Sequence, residues 1–123
     1  MLVKEIMKKP IVIDQDITLS KASKVLTRYN ISSIIMVKGE KFIGVLTEQD
    51  LIKHFGEKNK VSKIMRKNVV SITPSSRASR AIKLMKDNDL KILPVVKAGK
   101  LVGVVGERDL LNKSGSEDNF LIN

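Results

Sequence analysis

Gly44-Val45-Leu46-Thr47-Glu48-Gln49-Asp50-Leu51 is a short apolar run that ends in a hydroxyl and two acids, and 59 residues later Gly103-Val104-Val105-Gly106-Glu107-Arg108-Asp109-Leu110 follows the same plan. The register extends outward from this stretch. At the same offset Ser20 meets Ser79, Ala22 meets Ala81, Val37-Lys38 meets Val96-Lys97 and Lys41 meets Lys100. After a one-residue slip near Pro10 the offset is 58, and Val3, Ile6 and Met7 meet Val61, Ile64 and Met65. One register held over about forty residues marks an internal duplication. The chain divides into repeat 1 (residues 1–56), repeat 2 (57–113) and a tail (114–123), with FGEKNK at 55–60 as the exposed connection. The tail, SGSEDNFLIN, reads as flexible, with Phe120, Leu121 and Ile122 available to dock on a partner subunit.

Each copy predicts the same element order. Pro10–Ile13 and Val69–Ile72 are apolar runs rich in β-branched residues, which read as strands. Leu19, Ala22, Leu26 and Tyr29 recur at helical spacing, as do Ala78, Ala81, Ile82 and Met85. Thr18 and Ser76 suit the helix starts, and Asn30 and Asp89 the exits. Ile34–Val37 and Phe42–Leu46 flank a turn at Lys38-Gly39-Glu40-Lys41, and Ile92–Val96 and Leu101–Val105 flank Lys97-Ala98-Gly99-Lys100, which predicts two hairpins. Second helices begin near Glu48 and Glu107, so the order is βαββα twice. Units of about 60 residues are marginal alone. The fold class is therefore α+β, two tandem βαββα repeats packed pseudo-symmetrically through their sheets. Leu51, Ile52 and Phe55 with Leu110 and Leu111 leave more apolar surface than one small module buries, which predicts a homodimer.

Composition narrows the function. The chain has no cysteine, excluding disulfides, a thiol nucleophile and cysteine-based zinc sites; that fits a reducing, cytoplasmic setting. No apolar run approaches the roughly 18 residues that span a bilayer. Twenty-three basic against thirteen acidic residues give a formal charge of +10, but no run exceeds two basic residues and both halves share the excess. The charge reads as solvated surface, with a polyanion partner as the alternative. His54 is the only histidine, and a lone imidazole makes no metal site. Met7, Met65 and Met85 read as core.

The Thr47-x-x-Asp50 spacing predicts a capping box at a strand-to-helix junction. Amides at a helix start together with a hydroxyl attract an anion, and a nearby carboxylate accepts from a ribose diol. Those are the two polar ends of a nucleotide.

The doubled layout with its Gly-x-x-Thr-x-x-Asp ending resembles a tandem pair of cystathionine-β-synthase (CBS) domains, across residues 3–113. The resemblance implies an adenosine ligand (AMP, ADP, ATP or S-adenosylmethionine) held between the repeats, with no metal. In the first copy it places the ribose-binding acid on Asp50 and its hydroxyl partner on Thr47, and puts the adenine against Pro10, Ile11 and Val12 and against Ser32, Ser33 and Ile34. In the second copy the acid is Asp109 and the walls are Val69, Val70, Lys91, Ile92, Leu93 and Pro94. Gly106 replaces the hydroxyl residue there, which makes the first copy the better site. Arg108, opposite Gln49, reads either as a phosphate partner or as an exposed first-turn arginine.

The implied function is a regulatory nucleotide-binding module, with no catalytic residues, acting on another protein. The rival is a nucleic-acid-binding protein using the basic surface, against which stand the few aromatics and the scatter of the charge.

Overall fold

A computed structural model of the chain describes residues 1–113, with side chains through Leu110. The expectations about Leu111 and about docking by Phe120, Leu121 and Ile122 lie outside the described residues. A 3₁₀ turn at Val3–Glu5 is followed by β1 (Val12–Ile13), α1 (Leu19–Tyr29), β2 (Ser33–Lys38), β3 (Lys41–Thr47), α2 (Glu48–Lys53), α3 (Val61–Ile64), α4 (Ala78–Asp87), β4 (Ile92–Lys97), β5 (Lys100–Gly106) and α5 (Glu107–Lys113). The mixed α and β content and the duplicated order are those expected.

Spatially the chain forms two compact units, and they cut it differently from the sequence repeats. A central unit is the continuous stretch Ile11–Val69; a terminal unit combines Met1–Pro10 with the described residues from Val70 on. Each unit thus contains the opening segment of the other repeat.

In the central unit β1 runs parallel to β2 (Val12 opposite Ile35), and β2 runs antiparallel to β3 (Ser33 opposite Thr47, Lys38 opposite Lys41). The core is aliphatic: Leu19, Ala22 and Leu26 from α1 pack with Ile34, Met36, Leu46 and Val61. Thr18 caps α1 through its hydroxyl, and Asn30, in the left-handed region at φ 52, ends it. Helix α3 is too short to stand alone and is pinned at its start. Val61 N–H donates to the Ile17 carbonyl at 2.9 Å, and Asp16 accepts from both Ser62 N–H (2.9 Å) and the Ser62 hydroxyl.

Those hydrogen bonds, the hydroxyl's first, hold the Asp16 carboxyl below the usual aspartate range, with Lys60 and Lys63 adding to the effect. A carboxyl whose pKa is lower folded than unfolded stabilises the fold above its unfolded pKa, and loses that contribution as pH falls through the folded value. Wild-type protein is therefore expected to lose more stability between about pH 5 and about pH 2 than Asp16→Asn, which has no such titration. Urea unfolding across that range checks it, and parallel curves for the two proteins would refute it.

The terminal unit repeats the plan. β4 pairs antiparallel with β5 (Ile92 opposite Gly106, Lys97 opposite Lys100), and the register shifts at Val95/Val96 just as β2 and β3 shift at Met36/Val37. Val3 N–H and Lys4 N–H donate to the carbonyls of Ser76 and Pro74, tying the chain start ahead of α4.

Three details differ from the sequence reading. The strand expected at Pro10–Ile13 is only Val12–Ile13, and the one expected at Val69–Ile72 is a single parallel bridge from Ile72 to Val95. Pro10 has no N–H to offer a ladder, and Asn68 at φ 57 turns the chain just before Val69. The N-cap of α4 is Arg77 rather than Ser76, whose hydroxyl is engaged with that of Thr73 at 2.8 Å. Leu51 and Leu110 are absorbed by their own units, Leu51 against the central core and Leu110 almost fully buried.

The second hairpin turns through Ala98 (φ 51) and Gly99 (φ 79), the positive pair that a type I′ turn requires. Alanine is strained there. Ala98→Asn is expected to stabilise the protein by about 1 kcal/mol, since asparagine tolerates the left-handed region. Chemical denaturation measures it, and an unchanged midpoint would count against the strain.

Candidate functional site

In both units the hairpin ends at the start of a short helix, and the junction is built alike. In the central unit the Thr47 hydroxyl accepts from Asp50 N–H at 3.2 Å while Asp50 Oδ2 accepts from Thr47 N–H at 2.9 Å, the reciprocal capping box read from the spacing. Glu48 N–H donates to the Ser32 carbonyl at 3.0 Å. In the terminal unit Glu107 N–H donates to the Lys91 carbonyl at 2.9 Å, and Asp109 Oδ2 accepts from Gly106 N–H at 3.0 Å. The box is half present there because Gly106 has no hydroxyl.

The idea that α2 attracts an anion through its amides gives way at this point. Two of its first-turn amides, those of Glu48 and Asp50, already have partners, and the helix is only six residues long. Neither of those two amides is free to meet a phosphate.

The glycine that opens each motif is a spacing requirement. A Cβ on Gly44 would lie 2.6 Å from Met65 Sδ and 3.1 Å from the Arg66 carbonyl oxygen; one on Gly103 would lie 2.9 Å from Met7 Sδ and 3.3 Å from the Lys8 carbonyl oxygen. The bare Cα lets a second segment pair with the strand. Val45 and Arg66 exchange backbone hydrogen bonds of 3.0 and 2.8 Å, and Val104 and Lys8 exchange two of 2.9 Å.

That pairing delivers a cation to each motif acid. Arg66 Nε lies 3.5 Å from Asp50 Oδ2, and Lys8 Nζ lies 2.6 Å from Asp109 Oδ1. Lys8 and Arg66 are equivalent at the offset of 58, and each pairs with the acid of the other sequence repeat while staying within one spatial unit. The sequence reading missed both. Two basic residues following equivalent methionines was the available signal, but a repeat offset reports equivalence rather than contact.

The two acids are committed to different degrees. Thr47 N–H and Arg66 Nε both meet Asp50 at Oδ2, leaving Oδ1 without a hydrogen bond among the described residues, although the residue is only 8% exposed. Asp109 uses both oxygens. Ser33, also 8% exposed, sits opposite Thr47 on the same sheet face, and its hydroxyl makes no hydrogen bond among the described residues. A buried hydroxyl without a partner costs about 1–3 kcal/mol. Its equivalent in the terminal unit is Ile92, which is half-buried.

The other sequence candidates fall as follows. Ile11 and Val12 are large apolar residues with exposed side chains, in the central unit with Ser32 and Ser33; Pro10 belongs to the terminal unit. Ile34, Leu93 and Pro94 are fully buried, so their side chains present no surface. Val69 belongs to the central unit and Val70 to the terminal one, both half-buried. Lys91 and Arg108 are exposed, and neither forms an ion pair among the described residues. His54 pairs with Glu57 at 2.8 Å. Among the described residues no group of three His, Asp or Glu side chains is placed to hold a metal ion, and no helix is long and apolar enough to cross a membrane.

Comparison with known proteins agrees with the duplicated layout. The CBS domain family profile matches residues 3–57 and again 61–116. Among solved structures, the CBS domain pair of protein MJ0100 in complex with 5′-methylthioadenosine and S-adenosyl-L-methionine matches with TM-score 0.86 at 27% identity, over 95% of this chain and 98% of its own. CBSX2 in complex with AMP matches with TM-score 0.85 at 17% identity, over 95% and 98%, a likeness of fold. The cytosolic domain of the Mg2+ channel MgtE in complex with ATP matches with TM-score 0.74 at 29% identity, over 87% of this chain and 46% of its own. No match is found among curated protein sequences. With its motif acids, its spacing glycines and its sequence profile each present twice, the chain belongs to the CBS domain family as a tandem pair.

Proposed function

We propose that the chain is a regulatory module that binds an adenosine ligand, with the better site at the Thr47–Asp50 end of the central unit. The observation that carries this reading is the pair of buried, uncommitted polar groups there, Asp50 Oδ1 and the Ser33 hydroxyl. A ribose diol donates to the first and both donates to and accepts from the second. The exposed apolar side chains of Ile11 and Val12 suit an adenine, whose affinity comes mostly from apolar contact. The MJ0100 pair, similar over nearly all of this chain, was crystallised with two adenosine compounds.

No catalytic constellation is part of this reading. The ligand acts by favouring one conformation of the module over another, in proportion to its differential affinity, and the change passes to a partner protein. The module works in the cytoplasm as a homodimer, for which Ile52 (74% exposed) and Phe55 (91%) on and just after α2 supply apolar surface.

Calorimetric titration with AMP, ATP and S-adenosylmethionine, with short RNA and DNA duplexes in parallel at two salt concentrations, tests the reading. Saturable binding of an adenosine compound with weak salt dependence is expected. Duplex binding that collapses with salt, with no adenosine compound bound, would replace it with the nucleic-acid reading.

A further inference from the structure

The two motif ends share a backbone plan and differ in charge. At the Asp109 end, Lys8 contacts the acid at 2.6 Å, the Lys91 carbonyl accepts from Glu107 N–H at 2.9 Å, and Arg108 occupies the first turn of α5 between Glu107 and Asp109. Lys8 thus contacts the acid, while Lys91 and Arg108 belong to the two backbone segments that meet at this junction. At the Asp50 end the equivalents of Lys91 and Arg108 are Ser32 and Gln49, both uncharged, and only Arg66 is cationic. The motif carboxylates, Glu48 and Asp50 against Glu107 and Asp109, are the same in both. The difference between the junctions is thus two positive charges, Lys91 and Arg108, on exposed side chains without an ion pair among the described residues. Where the Asp109 end has Lys91, Ile92 and Gly106, the Asp50 end has hydroxyls: Ser32, the buried Ser33 and Thr47.

We propose that the two ends sort adenosine ligands by charge, the Asp109 end of the terminal unit selecting the polyphosphate form and the Asp50 end of the central unit taking forms with little or no negative charge. This rests on the adenosine-binding reading above and adds a division of labour to it. The Asp109 carboxylate is already matched by Lys8, so Lys91 and Arg108 remain as surplus cations for a phosphate chain; Arg108 supplies a planar fork suited to two phosphate oxygens. At the Asp50 end the uncommitted Oδ1 has no such surplus beside it, so a phosphate chain gains less there than at the Asp109 end.

The test is amide chemical-shift titration of the full chain with adenosine, ATP and inorganic tripolyphosphate separately, in wild type and in a Lys91→Ser/Arg108→Gln variant that carries the first copy's residues. Both positions are exposed, so the variant keeps the fold. In wild type, ATP and tripolyphosphate are expected to move the amides of Lys91, Arg108 and Asp109 at lower concentration than those of Ser32, Gln49 and Asp50. The variant is expected to bind ATP at that end about tenfold more weakly, and to lose more affinity for ATP than for adenosine. If adenosine and ATP bind but ATP shows no preference between the ends, or the variant binds it unchanged, charge sorting is wrong while adenosine binding stands. If tripolyphosphate alone binds, at the Asp109 end, and no adenosine compound does, the phosphate selection stands and the adenosine reading fails. If none of the three probes binds, both are overturned.

Discussion

Asp50→Ala is expected to weaken binding of adenosine or S-adenosylmethionine, which carry no phosphate, by about 1–3 kcal/mol, roughly five- to 150-fold, and Asp109→Ala to weaken it less. The ranking comes from what each carboxylate does in the unliganded chain. Among the described residues Asp50 has one oxygen without a partner, and the Ser33 hydroxyl, on the residue opposite Thr47, has none either, so a ribose there gains hydrogen bonds and breaks none. At Asp109 an incoming diol competes with Lys8 for Oδ1 and with Gly106 N–H for Oδ2. Alanine at position 50 also removes half of the capping box, a structural loss of about 1 kcal/mol. Asp50→Asn separates the two effects, because its amide oxygen still accepts from Thr47 N–H while the charge is gone. Calorimetry on melt-checked variants decides the matter, and equal losses at the two acids would overturn the ranking.

The largest stability effect is expected at Gly44. An alanine Cβ there meets the Met65 sulfur at 2.6 Å and the Arg66 carbonyl at 3.1 Å. The methionine side chain can swing aside. The carbonyl cannot, because it accepts from Val45 N–H as part of a paired backbone. Gly44→Ala should therefore cost about 1–3 kcal/mol, and Gly44→Val more, by overpacking. Gly103→Ala meets the same obstacles at 2.9 and 3.3 Å and should cost less. Urea denaturation of the three variants gives the order directly. A neutral Gly44→Ala would mean that the Arg66 segment shifts freely, and the Arg66–Asp50 pair should then be absent in solution.

Much of this was legible in the sequence because hydrophobic period and turn chemistry are local. Leu19, Ala22 and Leu26 at helical spacing, Gly39 and Ala98-Gly99 in tight turns, and Thr47 three residues before Asp50 each announce their structure within a few positions. The misses were cases where a distant segment decided the outcome. Helix α3 exists because Asp16 and Ile17 receive the first hydrogen bonds of its chain, across a gap of more than forty residues. The motif acids acquire their cations from the opposite repeat, which no offset between copies reveals. Ser76 looked like a cap by residue type, yet Thr73 took its hydroxyl. Ser33 entered the site only through the family resemblance, as a wall for the adenine; its burial without a hydrogen bond among the described residues points to its hydroxyl instead.

The exchanged opening segments also set an order of assembly during synthesis. The central unit, Ile11–Val69, is one continuous stretch, so all of its parts leave the ribosome before most of the terminal unit has been made. Residues Met1–Pro10 emerge before the central unit and belong with partners that emerge after it, among them Val104, which pairs with Lys8. They must wait while roughly sixty residues condense between them and their strand, and the closing step carries the loop entropy of that span, which grows only logarithmically with length. Once the central unit has folded, it shortens the flexible path that the waiting segment must close. The duplicated halves, alike in sequence, are therefore unequal in time.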